Sequence, residues 1–143
     1  MPSFENTKIL PFSDKQLYGI IINVESYPKF LPWCKDSEII NKIDDNNFDA
    51  ILTIGYKALD EDYTSRVKGI YLKQIQSNAI AGPFKHLNSI WSFKNSGKSC
   101  KVTFELNYEF KSFFLAKIMG SVFNKASEKM FSAFEKRAND LYA

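Results

Sequence analysis

The chain has 143 residues and 45% hydrophobic side chains, with 13 Phe, 7 Tyr and 2 Trp, which is ample for the core of one domain and excludes a disordered chain. No run approaches the roughly 18 apolar residues of a membrane-spanning helix, and two cysteines, Cys34 and Cys100, are too few for a disulfide framework. The net charge of +3 gathers at the C-terminal end, where Lys111, Lys117, Lys125, Lys129, Lys136 and Arg137 outnumber Glu128, Glu135 and Asp140. Such an excess serves either as a solvated helix face or as a contact for an anionic surface such as lipid or RNA. With Arg66 and Arg137 as the only arginines, the nucleic-acid case is weak and DNA is not an expected partner. The opening MPSFENTK has neither a basic region followed by an apolar core nor an Arg-rich amphipathic pattern. A secretory or mitochondrial leader is therefore not expected, and a reduced cytoplasmic setting is.

Ser3 to Leu10 reads as a strand ending at Pro11. Ser13 and Gln16 then form an S-x-x-Q capping box, with Phe12 and Leu17 as a hydrophobic staple, so a helix is predicted through Leu17, Tyr18, Ile20 and Ile21. A second short helical piece, about Val24 to Phe30, stops before Pro32. Thereafter the period changes to two. Phe48, Ala50, Leu52, Ile54 and Tyr56 alternate with polar residues, as do Tyr63, Ser65 and Val67, then Leu87, Ser89, Trp91 and Phe93, then Val102, Phe104, Leu106, Tyr108 and Phe110. Turn signals fall at Asp44–Asn47, Leu59–Glu61, Ala81–Pro83 and Asn95–Lys98. With Ser37–Ile43 and Lys73–Ile80 added, about seven strands are predicted, forming an antiparallel sheet covered on one face.

From Phe113 to about Leu141 the period returns to that of a helix, capped by Ser112 and roughly 40 Å long. Its apolar stripe runs through Leu115, Ile118, Met119, Val122, Phe123, Ala126, Met130, Phe134, Ala138 and Leu141, with Ser127 outside it. The natural packing is a single α+β domain over 1–143. A curved antiparallel sheet of about seven strands wraps around the long C-terminal helix, with two short helices after the first strand. This is the helix-grip arrangement, which can leave an apolar cavity between sheet and helix.

Little in the chain carries chemistry. One histidine, His86, and two distant cysteines do not make a zinc site. The segment Ser96-Gly97-Lys98-Ser99 resembles the tail of a phosphate loop, but a strand rather than a helix follows it. The acidic pairs Asp44–Asp45 and Asp60–Glu61–Asp62 sit in predicted connections. No general acid–base pair stands out, so no catalytic residue and no metal ligand is assigned and the chain is not expected to be an enzyme. The inward aromatics remain, as ordinary core one by one and collectively as the lining of a cavity for a long apolar ligand.

Three segments carry a resemblance. They are Tyr27-Pro28-x-Phe30-x-Pro32-Trp33-Cys34 with Ser37, then Gly82-Pro83-Phe84-Lys85-x-Leu87 followed by Trp91-x-Phe93, and lastly Val102-x-Phe104-x-Leu106-x-Tyr108-Glu109-Phe110-Lys111-Ser112, running on into Phe123, Ala126, Met130 and Phe134. In this order they resemble the coenzyme Q-binding family of START-like, polyketide-cyclase-related proteins. The resemblance implies a non-catalytic carrier that supports respiration by holding ubiquinone or a related polyprenyl quinone or lipid, with no covalent cofactor. On that reading Tyr56, Trp91, Phe93, Phe104, Leu106, Ile118 and Val122 line the cavity. Phe30, Trp33, Lys35 and Phe84 stand at its entrance or lid, where Trp33 and Phe30 can touch the inner face of the cytoplasmic membrane. The family also includes bacterial ribosome association toxins, and this second expectation has the large ribosomal subunit as partner, met by lysines of the last helix. A distant third expectation is a polyketide cyclase. It would need an acid or base inside the cavity, where the inward positions offer only Tyr56, Ser65, Ser89 and Tyr108.

Overall fold

A computed structural model describes residues 3–56 and 59–143, apart from the side chains of Tyr56 and Leu59. The chain runs β1 (Ser3–Leu10), α1 (Asp14–Ile22), a short 3₁₀ helix (Val24–Lys29), β2 (Cys34–Asp44), β3 (Asn47–Tyr56), β4 (Leu59–Ile70), β5 (Gln74–Ala81), β6 (Phe84–Ser96), β7 (Ser99–Phe110) and α2 (Phe113–Tyr142). The strands form one antiparallel sheet in the order β1-β7-β6-β5-β4-β3-β2. Strands β1 and β2 are consecutive in sequence yet occupy opposite edges. The helical segment between them must therefore cross the mouth of the sheet.

The helix starts are set locally. Ser13 Oγ accepts from Gln16 N at 3.1 Å and Gln16 Oε1 accepts from Ser13 N at 3.0 Å, which satisfies two otherwise free donors. Ser112 Oγ accepts from Leu115 N at 3.0 Å at the start of α2. The 3₁₀ helix is tied to β2 by Ser37 Oγ donating to Val24 O at 2.7 Å. Alternation of buried and exposed side chains along β7 puts Val102, Phe104, Leu106 and Tyr108 on the concave face, against α2.

Two expectations change. The turn expected at Leu59–Glu61 is strand, because Leu59 pairs with Tyr56, Asp60 with Gly55 and Glu61 with Ile54; residues 57–58 lie outside the described residues. The acidic residues there serve cross-strand pairs on the convex face. Asp60 meets Lys35 Nζ at 2.9 Å and Asp62 accepts from Thr53 Oγ1 at 2.6 Å. In addition, the buried line of α2 runs through Met119, Phe123, Ser127, Phe131, Phe134 and Ala138. Ser127 lies on the line because its hydroxyl donates to Phe123 O at 2.8 Å, so it buries no unpaired polar group. Leu141 at the far end is 48% exposed.

At the β5–β6 turn Gly82 has φ +123°, and an added Cβ would lie 2.6 Å from Tyr63 Cβ and 2.8 Å from Tyr63 Cα. Both the left-handed backbone and the close approach demand glycine. Gly82→Ala is expected to cost about 2–3 kcal/mol, read as a lower urea midpoint at unchanged m-value. An unchanged midpoint would contradict this account of the turn.

Candidate functional site

A cavity of about 70 Å³ lies between the concave face of the sheet and α2. Its floor comes from β3 to β7 through Leu52, Val67, Ile75, Leu87, Phe104 and Leu106, its roof from Phe123, Met130 and Phe134, and its end wall from Val24, Tyr27 and Trp33. Among the described residues no charged side chain lines it. Its polar content is chiefly a row of hydroxyls across three strands. Ser77 of β5 sits directly opposite Ser89 of β6, and Ser65 of β4 hydrogen-bonds to Ser77. Near the same wall, the Trp33 side chain is buried and its indole Nε1–H finds no partner among the described residues.

Burial controls the titratable groups here. Desolvation, reinforced by the Asp36 charge, pushes the Cys34 thiol up to about 12. It also raises the Tyr27 and Tyr63 phenols above their usual range, with Tyr27 further held neutral by donating to Ile21 O. These groups are neutral donors near neutral pH, not bases. An unfolded thiol ionises near 9.0 while the folded one keeps its proton to about 12, so above pH 9 the unfolded state binds fewer protons and stability falls as pH rises. Urea midpoints are therefore expected to hold steady up to about pH 9 and to drop beyond it. Cys34→Ala makes the drop shallower, the remainder coming from the buried Cys100 thiol, which is also raised by desolvation. A drop of unchanged depth in Cys34→Ala would assign it elsewhere.

The expected site residues separate into three groups. Trp91, Phe104, Leu106 and Trp33 line the cavity. Trp91 stacks on its cross-strand partner Phe104 with centroids 4.3 Å apart. Phe93, Ile118 and Val122 do not line it. Phe93 lies two residues beyond Trp91, beneath α1, where its ring meets Tyr18 at 5.7 Å. Ile118 is 40% exposed and Val122 is half-buried, both beside the buried line that Met119 and Phe123 set. The side chain of Tyr56 lies outside the described residues.

Of the remaining expected entrance residues, Phe30 wedges between Tyr27, Phe134 and the Arg137 guanidinium. It fastens the 3₁₀ helix to α2. Lys35 is exposed and paired with Asp60 on the convex side. Phe84 is core, stacked on Phe110 at 4.9 Å and packed on Phe123 at 5.0 Å. The tertiary structure adds Tyr27, Tyr63 and Ser77 to the lining. Ser77 was legible in principle, since Ile75, Ser77 and Ala79 alternate with Gln74, Gln76 and Asn78. Tyr27 was not, because a 3₁₀ helix leaves no period to read.

Comparison with known proteins places this geometry. The model of the polyketide cyclase / dehydrase and lipid transport family matches residues 10–135. A protein of Rickettsia prowazekii named ribosome association toxin RatA is 43% identical, covering 99% of both chains. A mitochondrial coenzyme Q-binding protein COQ10 of Dictyostelium discoideum is 38% identical over 96% of this chain and 69% of its own. Among solved structures, a START superfamily protein from Mycobacterium smegmatis superposes with a TM-score of 0.81 at 19% identity, covering 97% of this chain and 98% of that one. The curved sheet and long helix are thus a shared fold, and this chain belongs to the polyketide cyclase / dehydrase and lipid transport family.

Proposed function

We propose that this chain is a non-catalytic carrier whose sheet–helix cavity takes a neutral lipid with an oxygen-bearing head, of the polyprenyl quinone type. The observation that carries the reading is the cavity's chemistry: apolar walls, no charge, and one row of hydroxyls at Ser65, Ser77 and Ser89. A carboxylate or phosphate head would lie there unpaired, at a large desolvation cost. A carbonyl or ether oxygen can accept from hydroxyls and from the free Trp33 Nε1–H. Each buried CH₂ of a prenyl tail adds about 0.8 kcal/mol. Trp91, Phe104 and Leu106 are the proposed tail contacts. The likeness to a protein named for coenzyme Q binding supports the ligand class. At about 70 Å³ the cavity is well below the size of drug-scale sites, roughly 300–1,000 Å³, so loading requires α2 to move off the sheet. Catalysis finds no support in a lining whose tyrosines are held protonated by burial.

The test is a solvent extract of the protein purified from its own host, analysed by mass spectrometry. The expected outcome is a near-stoichiometric polyprenyl quinone. In Ser89→Leu, which fills the hydroxyl row with apolar volume, recovery falls about tenfold or more at an unchanged melting temperature. An extract free of lipid would end the carrier reading.

A second reading, association with the large ribosomal subunit, is supported by the full-length similarity to a protein named for ribosome association. Lys125, Lys129 and Lys136 form an exposed ridge on α2 that can meet phosphates. This reading expects co-sedimentation with large subunits that weakens steeply with salt, and more so in Lys129→Glu/Lys136→Glu. Binding indifferent to salt and to these substitutions would remove the ridge from consideration.

A further inference from the structure

The first two turns of α2 bring several uncovered apolar side chains together on one helix end. Phe113 is 88% exposed, Phe114 69% and Ile118 40%, and Met119 is the first residue of the helix to be buried. An apolar patch at a helix end is unusual on a water-facing surface and marks an interaction site. Its charge is equally one-sided. From Phe110 to Ser127 the sequence contains Lys111, Lys117 and Lys125 and no acidic residue, and the first turn of α2 has none. Lysines near a helix start oppose the helix dipole, so this arrangement does nothing for the helix itself.

We propose that this tip docks the protein on an anionic lipid bilayer, with Phe113, Phe114 and Ile118 in the interfacial layer and Lys111 and Lys117 at the headgroups. The dimensions agree. Six residues of helix span about 9 Å, and interfacial helices sink roughly 5–10 Å into the boundary between headgroups and acyl chains. Other occupants fit less well. A second copy would bring like-charged tips together. Double-helical RNA offers phosphates to the lysines but keeps its bases stacked on one another, away from the outermost rings, and the segment contains no arginine. A bilayer surface satisfies rings and cations together, with the lysines drawn to its negative potential. Beside the tip, Phe110, Ala116 and Gly120 line an open cleft between β7 and α2. The inference concerns an outer surface and does not depend on what the cavity holds.

The test is flotation of the full chain with phosphatidylcholine vesicles, with and without phosphatidylglycerol, at low and high salt. Wild type is expected to float with the anionic vesicles at low salt, with an affinity at least about tenfold above that for phosphatidylcholine alone or at high salt. Phe113→Ser/Phe114→Ser loses binding to both vesicle types at an unchanged melting temperature, since neither ring is part of the core. Lys111→Glu/Lys117→Glu abolishes the preference for phosphatidylglycerol, while Lys129→Glu on the distant ridge leaves flotation unchanged. The proposal is overturned if wild type does not float with anionic vesicles, if the double serine variant floats as wild type does, or if the serine variant instead breaks up a dimer or a complex with ribosomal RNA.

Discussion

The fold depends on one aromatic joint. Trp91 stacks on Phe104 across β6 and β7, and α2 sets Phe134 against it edge-on at 5.1 Å and Phe131 at 5.6 Å. Phe134 in turn meets Tyr27 and Phe30, each at 5.3 Å, so sheet, long helix and 3₁₀ helix share a single cluster of rings. Rings at these separations gain energy beyond their buried area and accept only certain orientations. That fixes the rotation of α2 about its own axis, which alternation of apolar residues alone would leave loose.

Given that rotation, the polar side chains beneath the helix must be satisfied locally, and they are. Ser127 donates to its own helix, and the buried Tyr108 hydroxyl reaches Asn124 Oδ1 at 3.2 Å. Tyr18 of α1 donates to Asn46 Oδ1 at 2.7 Å. On the convex face Arg66 covers Asp49, with Nε to Oδ1 at 3.0 Å, and holds that carboxyl below its ordinary range. At the cavity wall the Trp33 indole N–H is buried without a partner among the described residues, as is His86 Nε2 on β6, while Ser65 and Ser77 hydrogen-bond to each other. A buried donor left short of a partner beside a cavity is a place where a ligand oxygen can supply it.

Much of the architecture was legible because its signals are periodic. The capping box at Ser13, the alternations along β6 and β7 and the return of the helical period at Phe113 are each read from spacing alone, and each occurs in the structure. The YPKFLPWC segment identified the family for a different reason, as a local peptide without a period. What spacing could not give is the phase of a long helix against a twisted sheet. An apolar stripe on a 30-residue helix is broad, and its periodicity includes Ile118 and Val122, which lie beside the buried line, and omits Phe131, which lies on it. Phe93 failed similarly. Alternation puts it on the concave face correctly, but which helix covers that point of the face depends on the crossing of α1, a tertiary fact.

The same joint determines where the molecule can open. Below Phe123, α2 is held by Phe131, Phe134 and Ala138 and by the ion pair of Glu135 with Lys8 at 3.0 Å. Above it Met119 is buried and Leu115 packs partly buried on the core, while Phe113, Phe114 and Ile118 are exposed. Local opening costs least where the fewest apolar groups must be uncovered, so displacement begins at the N-terminal end of α2, before Met119 and Phe123 yield. Phe123 is also part of the cavity roof. The end of the helix that carries the exposed phenylalanines and lysines is therefore the end whose movement enlarges the cavity, and a surface that draws on that tip acts on the same element that closes over the hydroxyl row.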